Sequence, residues 1–133
     1  MSTRPRPAIE RDTAFFWEGL RRGDLLIQRC ADCGKLRHPP SQMCPSCRSF
    51  AADTVKAIGR GMVYSYCVPH EPAVPGLEPG YIVALVELAE GPRLVTNLVG
   101  VEATAVHVGM QVELDLVVVD DELTLPMFRP LRG

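Results

Sequence analysis

The sequence lacks any long hydrophobic run, and this absence excludes several classes of protein. No apolar stretch approaches the ~20 residues that a membrane-spanning helix needs. The first residues, Met-Ser-Thr-Arg-Pro-Arg-Pro, have no apolar segment behind their charges, so we expect no signal peptide. Internal repeats and low-complexity tracts are also absent. The 133 residues predict one domain or two small modules sharing a core, and we expect a cytoplasmic protein with no membrane contact.

A catalytic constellation is the second feature that the sequence lacks. Its three histidines, His38, His70 and His107, are scattered through loop-like segments, and no Ser-His-Asp or Cys-His arrangement is visible. We expect His38 to face solvent. Cys67 lies in an apolar strand pattern and is predicted to be a buried thiol, although folding could bring His70 or His107 close to it. We therefore expect a protein that is not an enzyme on its own.

Four of the five cysteines form two Cys-x-x-Cys pairs with ten residues between the pairs. They are Cys30, Cys33, Cys44 and Cys47. Four thiolates at this spacing can converge tetrahedrally on zinc, each at about 2.3 Å from the metal. Gly34 follows the first pair and Pro45 lies inside the second, and both residues favour the tight turns that a zinc ribbon requires.

Two disulfides or a redox-active pair are the alternatives to a metal site. A disulfide framework is typical of secreted chains, and a redox motif needs one pair that opens a helix after a strand. Neither context is present, so we predict a structural Zn²⁺ ion held by the four cysteines. Four sulfur ligands leave no coordination position for water, and such a metal stabilises the fold without performing chemistry.

A short amphipathic helix is predicted near the N-terminus. Asp12 suits its N-cap and Gly23 its C-terminal end. Phe16 and Leu20 are four residues apart and share one face. The aromatic residues of this segment are Phe15, Phe16 and Trp17. Two interpretations stay open: the helix packs on the ribbon, or part of its aromatic surface contacts another protein.

Downstream of the second cysteine pair the pattern becomes typical of strands. Five such segments cover residues 58–68, 81–88, 93–99, 112–119 and 123–128. Glycines near the start of the first segment suggest a bulge, and Pro126 favours an edge position for the last one. Residues 69–80 predict a loop and residues 101–108 a single turn. Five strands with a coiled first strand fit a small closed barrel of the OB type.

The predicted fold is therefore mainly β and has three parts. Residues 1–24 form an N-terminal arm and helix, with residues 1–8 expected to be disordered. Residues 25–50 form the zinc ribbon, and residues 51–133 form the five-stranded OB-fold barrel.

Over most of its length the chain resembles a family of bacterial and archaeal proteins known as domain of unknown function thirty-five. The matching segments, in the family's order, are FWEGL (16–20), GDLLIQRC (23–30), CG (33–34), PP (39–40), CPSC (44–47), GRGMVYS (59–65), VALVEL (83–88), GMQV (109–112) and PMF (126–128). The resemblance implies an N-terminal helix, a rubredoxin-like zinc ribbon and a C-terminal OB-fold. Arg48 departs from the glycine that is frequent in the family, which leaves the tightness of that turn open.

The resemblance also implies a function. Members of the family are commonly partners of thiolase-fold enzymes, including acyltransferases and the lipid-transfer-type aldolases of steroid side-chain breakdown, and others accompany hotdog-fold enoyl-CoA hydratases. A hetero-oligomeric accessory subunit is implied, which stabilises its partner and helps to form or bridge an acyl-CoA site. Cations could then contact the CoA phosphates. The candidates are Arg21, Arg22, Arg29, Lys35, Arg37 and Arg60, which could equally be solvated surface charges.

Nucleic-acid binding is the alternative function, because zinc ribbons and OB-folds both perform it. Residues 1–60 carry eleven Lys/Arg and six Asp/Glu, a charge of +5, whereas residues 61–133 carry three Arg and ten Asp/Glu, a charge of −7. Tyr64 and Tyr66 lie two apart on the first barrel strand and are the best stacking candidates. Polyanion binding depends mainly on phosphate neutralisation, and an acidic barrel opposes it. We therefore expect no nucleic-acid partner.

Overall fold

The computed structural model describes residue 7, residues 11–69 and residues 81–131. It contains one α-helix, α1 (Ala14–Arg21), and a 3₁₀ turn at Ala103–Ala105. The strands are β1 (Leu26–Cys30), β2 (Leu36–Arg37), β3 (Ala52–Lys56), β4 (Arg60–Cys67), β5 (Ile82–Leu88), β6 (Arg93–Leu98), β7 (Gln111–Val118) and β8 (Thr124–Pro130). No helix in this described part of the chain is long and apolar enough to cross a membrane. The fold is mainly β, as the sequence predicted.

Helix α1 is anchored at its C-terminal end more firmly than at its start. Gly23 has φ 90° and donates its N–H to the Leu20 carbonyl at 3.0 Å, while Asp24 donates to the Gly19 carbonyl at 2.8 Å. These two bonds form a Schellman motif, which only a left-handed residue such as glycine accommodates without strain. The prediction that Asp12 caps the helix was wrong. Thr13 occupies the N-cap position without a side-chain cap, and Asp12 accepts a hydrogen bond from Gln42 at 3.3 Å instead.

The cysteine-bearing segment forms a three-stranded antiparallel sheet in the order β2-β1-β3. Strand β1 pairs with β3 along its whole length, from Leu26↔Lys56 to Cys30↔Ala52. The sheet that carries the ribbon therefore continues to Lys56, beyond the boundary at residue 50 expected from the sequence. The sequence of residues 52–56 does not reveal that they join this sheet, because pairing is set by distant partners.

The five remaining strands close into a barrel in the order β4-β5-β6-β8-β7. All five predicted strand segments are confirmed, as is the single turn between β6 and β7. The register of β4 against β5 shifts between Val63 and Ser65, which places a bulge at Tyr64. Gly61 allows the close approach of these strands, since a Cβ there would meet the Glu87 carbonyl oxygen and would lie 2.8 Å from Val86 Cγ1.

One joint of the barrel is shorter than the other four. Strand β8 pairs with β7 from Val112↔Pro130 to Val118↔Thr124, but it pairs with β6 in parallel at the single position Leu98↔Phe128. The predicted edge position of Pro126 was wrong, because β8 lies between β6 and β7 in the closed barrel. Pro126 lies beside the short joint, where its missing N–H leaves no unpaired donor. The Thr96 hydroxyl donates to the Pro126 carbonyl at 2.5 Å and bridges the two strands. We refer to this junction of β6 and β8 as the seam.

A continuous apolar core joins the helix, the ribbon sheet and the barrel. Its fully buried side chains include Leu20 of α1, Ile27 of β1, Val63 of β4 and Phe128 of β8. Phe16 and Leu20 are both buried, as their spacing predicted, while Phe15 and Trp17 pack against the core and remain half-buried. The helix therefore packs on the body of the protein. This packing is compatible with a further contact at the exposed parts of its aromatic side chains.

The burial prediction for Cys67 was wrong, because its thiol is exposed. Residues 64–67 are all exposed, since the bulge at Tyr64 ends the strict alternation that keeps every second residue in the core. His107 is exposed in the loop before β7. The predictions for residues 1–6 and 8, for His70 and for most of the 69–80 loop lie outside the described residues.

Candidate metal centre

The two cysteine pairs fold into turns with the same hydrogen-bond pattern. Cys30 donates its N–H to the Lys35 carbonyl and accepts at its carbonyl from Gly34, both at 2.9 Å. Cys44 likewise donates to the Ser49 carbonyl at 2.9 Å and accepts from Arg48 at 2.8 Å. Each turn presents its two sulfur atoms to the same volume, so the motif forms a pair of equivalent knuckles.

A left-handed residue follows each cysteine pair. Gly34 has φ 79° and Arg48 has φ 65°, and Arg48 is the one non-glycine residue with positive φ in the described part of the chain. Glycine adopts this conformation freely, whereas other residues do so at a cost of about 1–2 kcal/mol. The turn is therefore as tight with arginine as it is with glycine, and the departure from the family pattern at Arg48 appears as backbone strain.

The four cysteines form one cluster whose ligand atoms all lie within 4.8 Å of one another. Cys30 Sγ lies 3.4 Å from Cys47 Sγ, and Cys33 Sγ lies 3.6 Å from Cys44 Sγ. A tetrahedron with Zn–S bonds of about 2.3 Å has edges of about 3.8 Å, so the observed spacing fits zinc with little adjustment. Cys30 and Cys44 are buried while Cys33 and Cys47 are exposed, so the cluster lies at the protein surface.

Backbone N–H groups aim at the buried sulfurs and favour their thiolate forms. The Cys33 N–H donates to Cys30 Sγ at 3.4 Å and lowers the pKa of Cys30. The N–H groups of Cys47 and Ser46 lower the pKa of Cys44 to about 6. At Cys47 the Ser49 N–H acts in the same direction, but the adjacent Cys30 and other thiols outweigh it and raise the pKa of Cys47 to about 12. Four thiolates need a cation to coexist, and a bound Zn²⁺ would supply it.

Polar side chains brace the two knuckles against each other. Lys35 Nζ donates to the Ser46 hydroxyl at 2.8 Å, and the Ser49 hydroxyl donates to the Asp32 carboxylate. Each of these bonds joins a residue of the first knuckle to one of the second. Hydrogen bonds between side chains thus link the two knuckles around the cysteine cluster, as expected for a metal site that stabilises a fold.

The six cations predicted as possible contacts of CoA phosphates differ in their exposure and in their hydrogen-bond partners. Arg29 is engaged by Asp53, with Nε–Oδ1 and Nη2–Oδ2 distances of 2.8 Å each. Arg37 is only 8% exposed and donates Nη2 to the Ser41 carbonyl at 2.9 Å, while its Nε and Nη1 atoms are buried and have no partner in the described segments. The exposed members are Arg21, Arg22, Lys35 and Arg60. Contact of any of these side chains with CoA stays a prediction.

The tyrosines considered as a stacking platform are both partly exposed and already have partners. The Arg93 guanidinium lies over the Tyr64 ring, 3.7 Å from its centroid, and Arg93 Nε lies 3.5 Å from Glu87 Oε1. The Tyr66 hydroxyl donates to the Val106 carbonyl at 3.1 Å. This arrangement places an aromatic ring, an arginine and a carboxylate together on the outer surface of β4–β6.

An apolar cleft of about 270 Å³ lies where helix α1, the loop after β2 and the barrel seam meet. It is lined by Phe16, Trp17, Pro39, Pro40, Val95 and Met127, among others. The prediction that His38 faces solvent was wrong. His38 lines this cleft, its ring packs 5.1 Å from that of Phe16, and its buried Nδ1 has no partner among the residues described. Burial lowers the pKa of His38.

Sequence reasoning did not find the cleft. Its walls come from residues near positions 16, 39, 95 and 127, which no local pattern connects. The paired prolines after His38 were the one available signal, because two prolines in succession exclude regular structure and mark a fixed loop. Only the packing of three separate elements shows that this loop closes one side of a pocket.

A four-cysteine ribbon joined to a closed five-stranded barrel defines the class: a zinc-ribbon and OB-fold protein. Comparison with protein families supports both parts. Residues 17–52 match the "ChsH2, rubredoxin-like zinc ribbon domain" and residues 54–117 match the "ChsH2, C-terminal OB-fold domain". A "DUF35 domain-containing scaffold protein" of Methanocaldococcus jannaschii is 35% identical over 100 residues, which span 73% of this chain and 71% of that protein. The chain belongs to the DUF35 family.

Other relatives carry names from acyl-CoA metabolism. A "Probable enoyl-CoA hydratase alpha subunit" of Thermomonospora curvata is 58% identical over 127 residues, 96% of this chain and 40% of that protein. A "3-oxo-4,17-pregnadiene-20-carboxyl-CoA hydratase alpha subunit" of Mycobacterium tuberculosis is 46% identical over 107 residues, 80% of this chain and 34% of that protein. The chain thus spans well under half the length of these two relatives.

A solved structure provides a nearly full-length match. A chain of an "Ltp2-ChsH2(DUF35) aldolase" is 58% identical, with a TM-score of 0.90, and the match covers 94% of this chain and 98% of that one. The similarity therefore extends over the helix, the ribbon and the barrel together.

Proposed function

We propose that this chain is a non-catalytic accessory subunit of an acyl-CoA-processing enzyme, and that its partner is a lipid-transfer-type aldolase of the thiolase fold. The observation that carries the proposal is the match to the DUF35 chain of an Ltp2-ChsH2(DUF35) aldolase, at 58% identity over nearly the whole length of both chains. The match supports a shared fold, and a shared partner surface is part of the proposal.

The chemistry of the described residues supports a role without catalysis. Across residues 11–69 and 81–131, the cysteine cluster is the one group of three or more His, Cys, Asp or Glu side chains placed to hold a metal. When bound, a zinc ion there supplies a fixed positive charge and four bonds that hold the two knuckles together. Its four sulfur ligands complete a tetrahedral site, so substrate has no position to enter. The chain's contribution to catalysis would then be structural.

Stabilisation of the partner and a shared acyl-CoA site form the finer part of the proposal. The exposed cations at the end of α1, Arg21 and Arg22, could reach the phosphates of a CoA bound at the junction of two subunits. A reducing compartment such as the cytoplasm would keep the zinc thiolates intact. A thiolase or a hotdog-fold hydratase is a second candidate partner. The names of the two longer relatives favour the hydratase.

Reconstitution with a defined partner tests the proposal. The purified chain is mixed with the Ltp2 subunit of the related aldolase complex, and the mixture is analysed by size-exclusion chromatography with light scattering. We expect one hetero-oligomeric species, with aldolase activity in the complex and none in the chain alone. A chain that stays separate from Ltp2, or that turns over an acyl-CoA substrate alone, would contradict the proposal. A parallel mixture with a hotdog-fold hydratase distinguishes the second partner.

A further inference from the structure

The cleft at the barrel seam is a consequence of how the barrel closes. Because β6 and β8 pair only at Leu98↔Phe128, the strands diverge along residues 94–97 and 125–127, and these residues form one wall of the cleft. The opposite wall comes from Trp17 of the helix and from Pro39 and Pro40. The cleft is therefore formed jointly by all three parts of the fold.

The size of the cleft limits what can occupy it. Its volume of about 270 Å³ is just below the ~300–1,000 Å³ of pockets that enclose drug-sized ligands. An acyl-CoA is much larger than a drug-sized ligand, so the cleft cannot enclose one. A single large apolar side chain is closer in scale. Apolar pockets that receive one such side chain are typical of the energetic centres of protein interfaces.

The cleft opens directly onto an exposed part of the barrel. Val95 lines the cleft and is 68% exposed, and it pairs with Leu85 of β5. Arg93 is two residues before Val95 on β6 and is exposed on the same face, with its guanidinium stacked over the Tyr64 ring. Aromatic residues and arginine are enriched at the centres of interfaces, and this surface is continuous with the pocket.

We infer that the cleft is the socket for one apolar side chain, aromatic or branched aliphatic, presented by the partner enzyme, with Val95 at its rim. This inference rests on the proposed function, since it assigns a position on the chain to the partner named there. It also explains why the aromatic side chain of Trp17 is left half-buried: the partner completes its burial.

The single tryptophan of the chain makes the socket directly observable. Trp17 is the one tryptophan in the sequence, so 5-fluorotryptophan labelling of this chain gives one ¹⁹F resonance from the cleft wall. Unlabelled Ltp2 is titrated into the labelled chain. We expect the resonance to shift as the complex forms. A complex that forms without moving this resonance would overturn the inference and leave the proposed function standing.

Two valine variants test the rim with a matched control. Val95→Asp places a charge at the mouth of the cleft, and Val108→Asp places the same charge at a valine with 64% exposure that does not line the cleft. We expect Val95→Asp to weaken the affinity for Ltp2 by at least about 10-fold, because complex formation would desolvate an unpaired carboxylate at the mouth of an apolar socket, and Val108→Asp to change it less than about 2-fold. Circular dichroism and zinc content check that both variants fold.

The remaining outcomes also decide between explanations. Equal affinity of Val95→Asp and the wild type, or equal loss in both variants, would overturn the inference. A ¹⁹F shift caused by a CoA thioester alone would also overturn the inference, because the occupant would then be the ligand. A shift caused by raising the concentration of this chain alone would overturn it as well, because the occupant would then be a second copy of the chain. Absence of any complex with the wild-type chain would instead contradict the proposed function itself.

Discussion

Arg29 and Asp53 face each other across β1 and β3 and form a two-point ion pair, with both N–O distances at 2.8 Å. The pairing raises the pKa of Arg29 and lowers that of Asp53, first through the side-chain hydrogen bonds and then through charge attraction. A guanidinium whose fork is filled by a carboxylate is poorly available to a phosphate.

Substitution of Arg29 should therefore have little effect on CoA binding. In the purified complex we expect Arg29→Ala to change the dissociation constant for a CoA thioester by less than about 2-fold, measured by isothermal titration calorimetry. The matched variant is Arg22→Ala, which removes an exposed arginine without an ion pair to a carboxylate in the described residues. A loss of 10-fold or more with Arg29→Ala would show that the ion pair opens for the ligand.

Loss of one buried metal ligand should unfold the ribbon. Cys44→Ser replaces a buried sulfur that accepts two backbone N–H groups, and three remaining thiolates hold zinc far less tightly. We expect less than one zinc per chain by mass spectrometry of metals, and a melting temperature lower by more than about 10 °C. Cys67→Ser changes an exposed thiol outside the cluster and should leave both values at those of the wild type.

Relief of the strain at Arg48 should stabilise the protein slightly. Arg48→Gly places at φ 65° the residue that adopts this conformation freely, and we expect the free energy of unfolding to rise by about 0.5–1 kcal/mol after the extra entropy of the unfolded glycine is subtracted. Chemical denaturation measures the change. Arg48→Ala removes the same side chain but keeps the left-handed strain, so it should show no gain. Equal gains in both variants would point to the side chain as the cause.

His38 should make stability depend on pH below neutrality. Burial lowers the pKa of His38 in the folded state, so the unfolded chain takes up a proton first as the pH falls. Its contribution to stability is complete above the unfolded pKa of about 6.5 and decreases below it, until the folded pKa is reached. No Asp or Glu side chain lines the described walls of the cleft to compensate the positive charge of the imidazolium.

Denaturation between pH 7.5 and 5.5 measures this dependence. We expect His38→Gln to lose less stability over that range than the wild type, and the exposed-site control His107→Gln to match the wild type. Acid also protonates the zinc ligands, but this contribution is common to all three proteins and cancels in the comparison. A His38→Gln profile identical to that of the wild type would contradict the prediction.

Local patterns in the sequence predicted the parts of this structure that local chemistry determines. The spacing of Cys30 and Cys33 reflects one turn of backbone, and the alternation in β5 reflects one strand with a buried and an exposed face. The exposure of Cys67 could not be predicted in this way, because the bulge at Tyr64 changes which face each later residue occupies. The burial of His38 depends on Phe16, which reaches it only after the helix has packed.

The membership of β3 in the ribbon sheet is also set by distant contacts and not by local sequence. Residues 52–56 are Ala-Asp-Thr-Val-Lys, of which only Thr and Val favour a strand, and their partner is β1 and not the barrel strand that follows them in the chain. Their extended conformation depends on pairing with a distant strand, and that partner is set by the whole fold. The cleft is the feature that local sequence patterns predict least, since it requires the helix, the loop and two barrel strands together.

The brief pairing of β6 and β8 has a kinetic consequence. Amide hydrogens exchange with solvent through local openings, and a joint held at one register position opens more readily than one held along a full strand. The Val99 amide, which donates to the Phe128 carbonyl at 2.9 Å, lies on this joint. It should exchange for deuterium sooner than amides of the β7–β8 ladder in the isolated chain. A subunit bound over the seam would slow that exchange and would stabilise the barrel at its shortest joint.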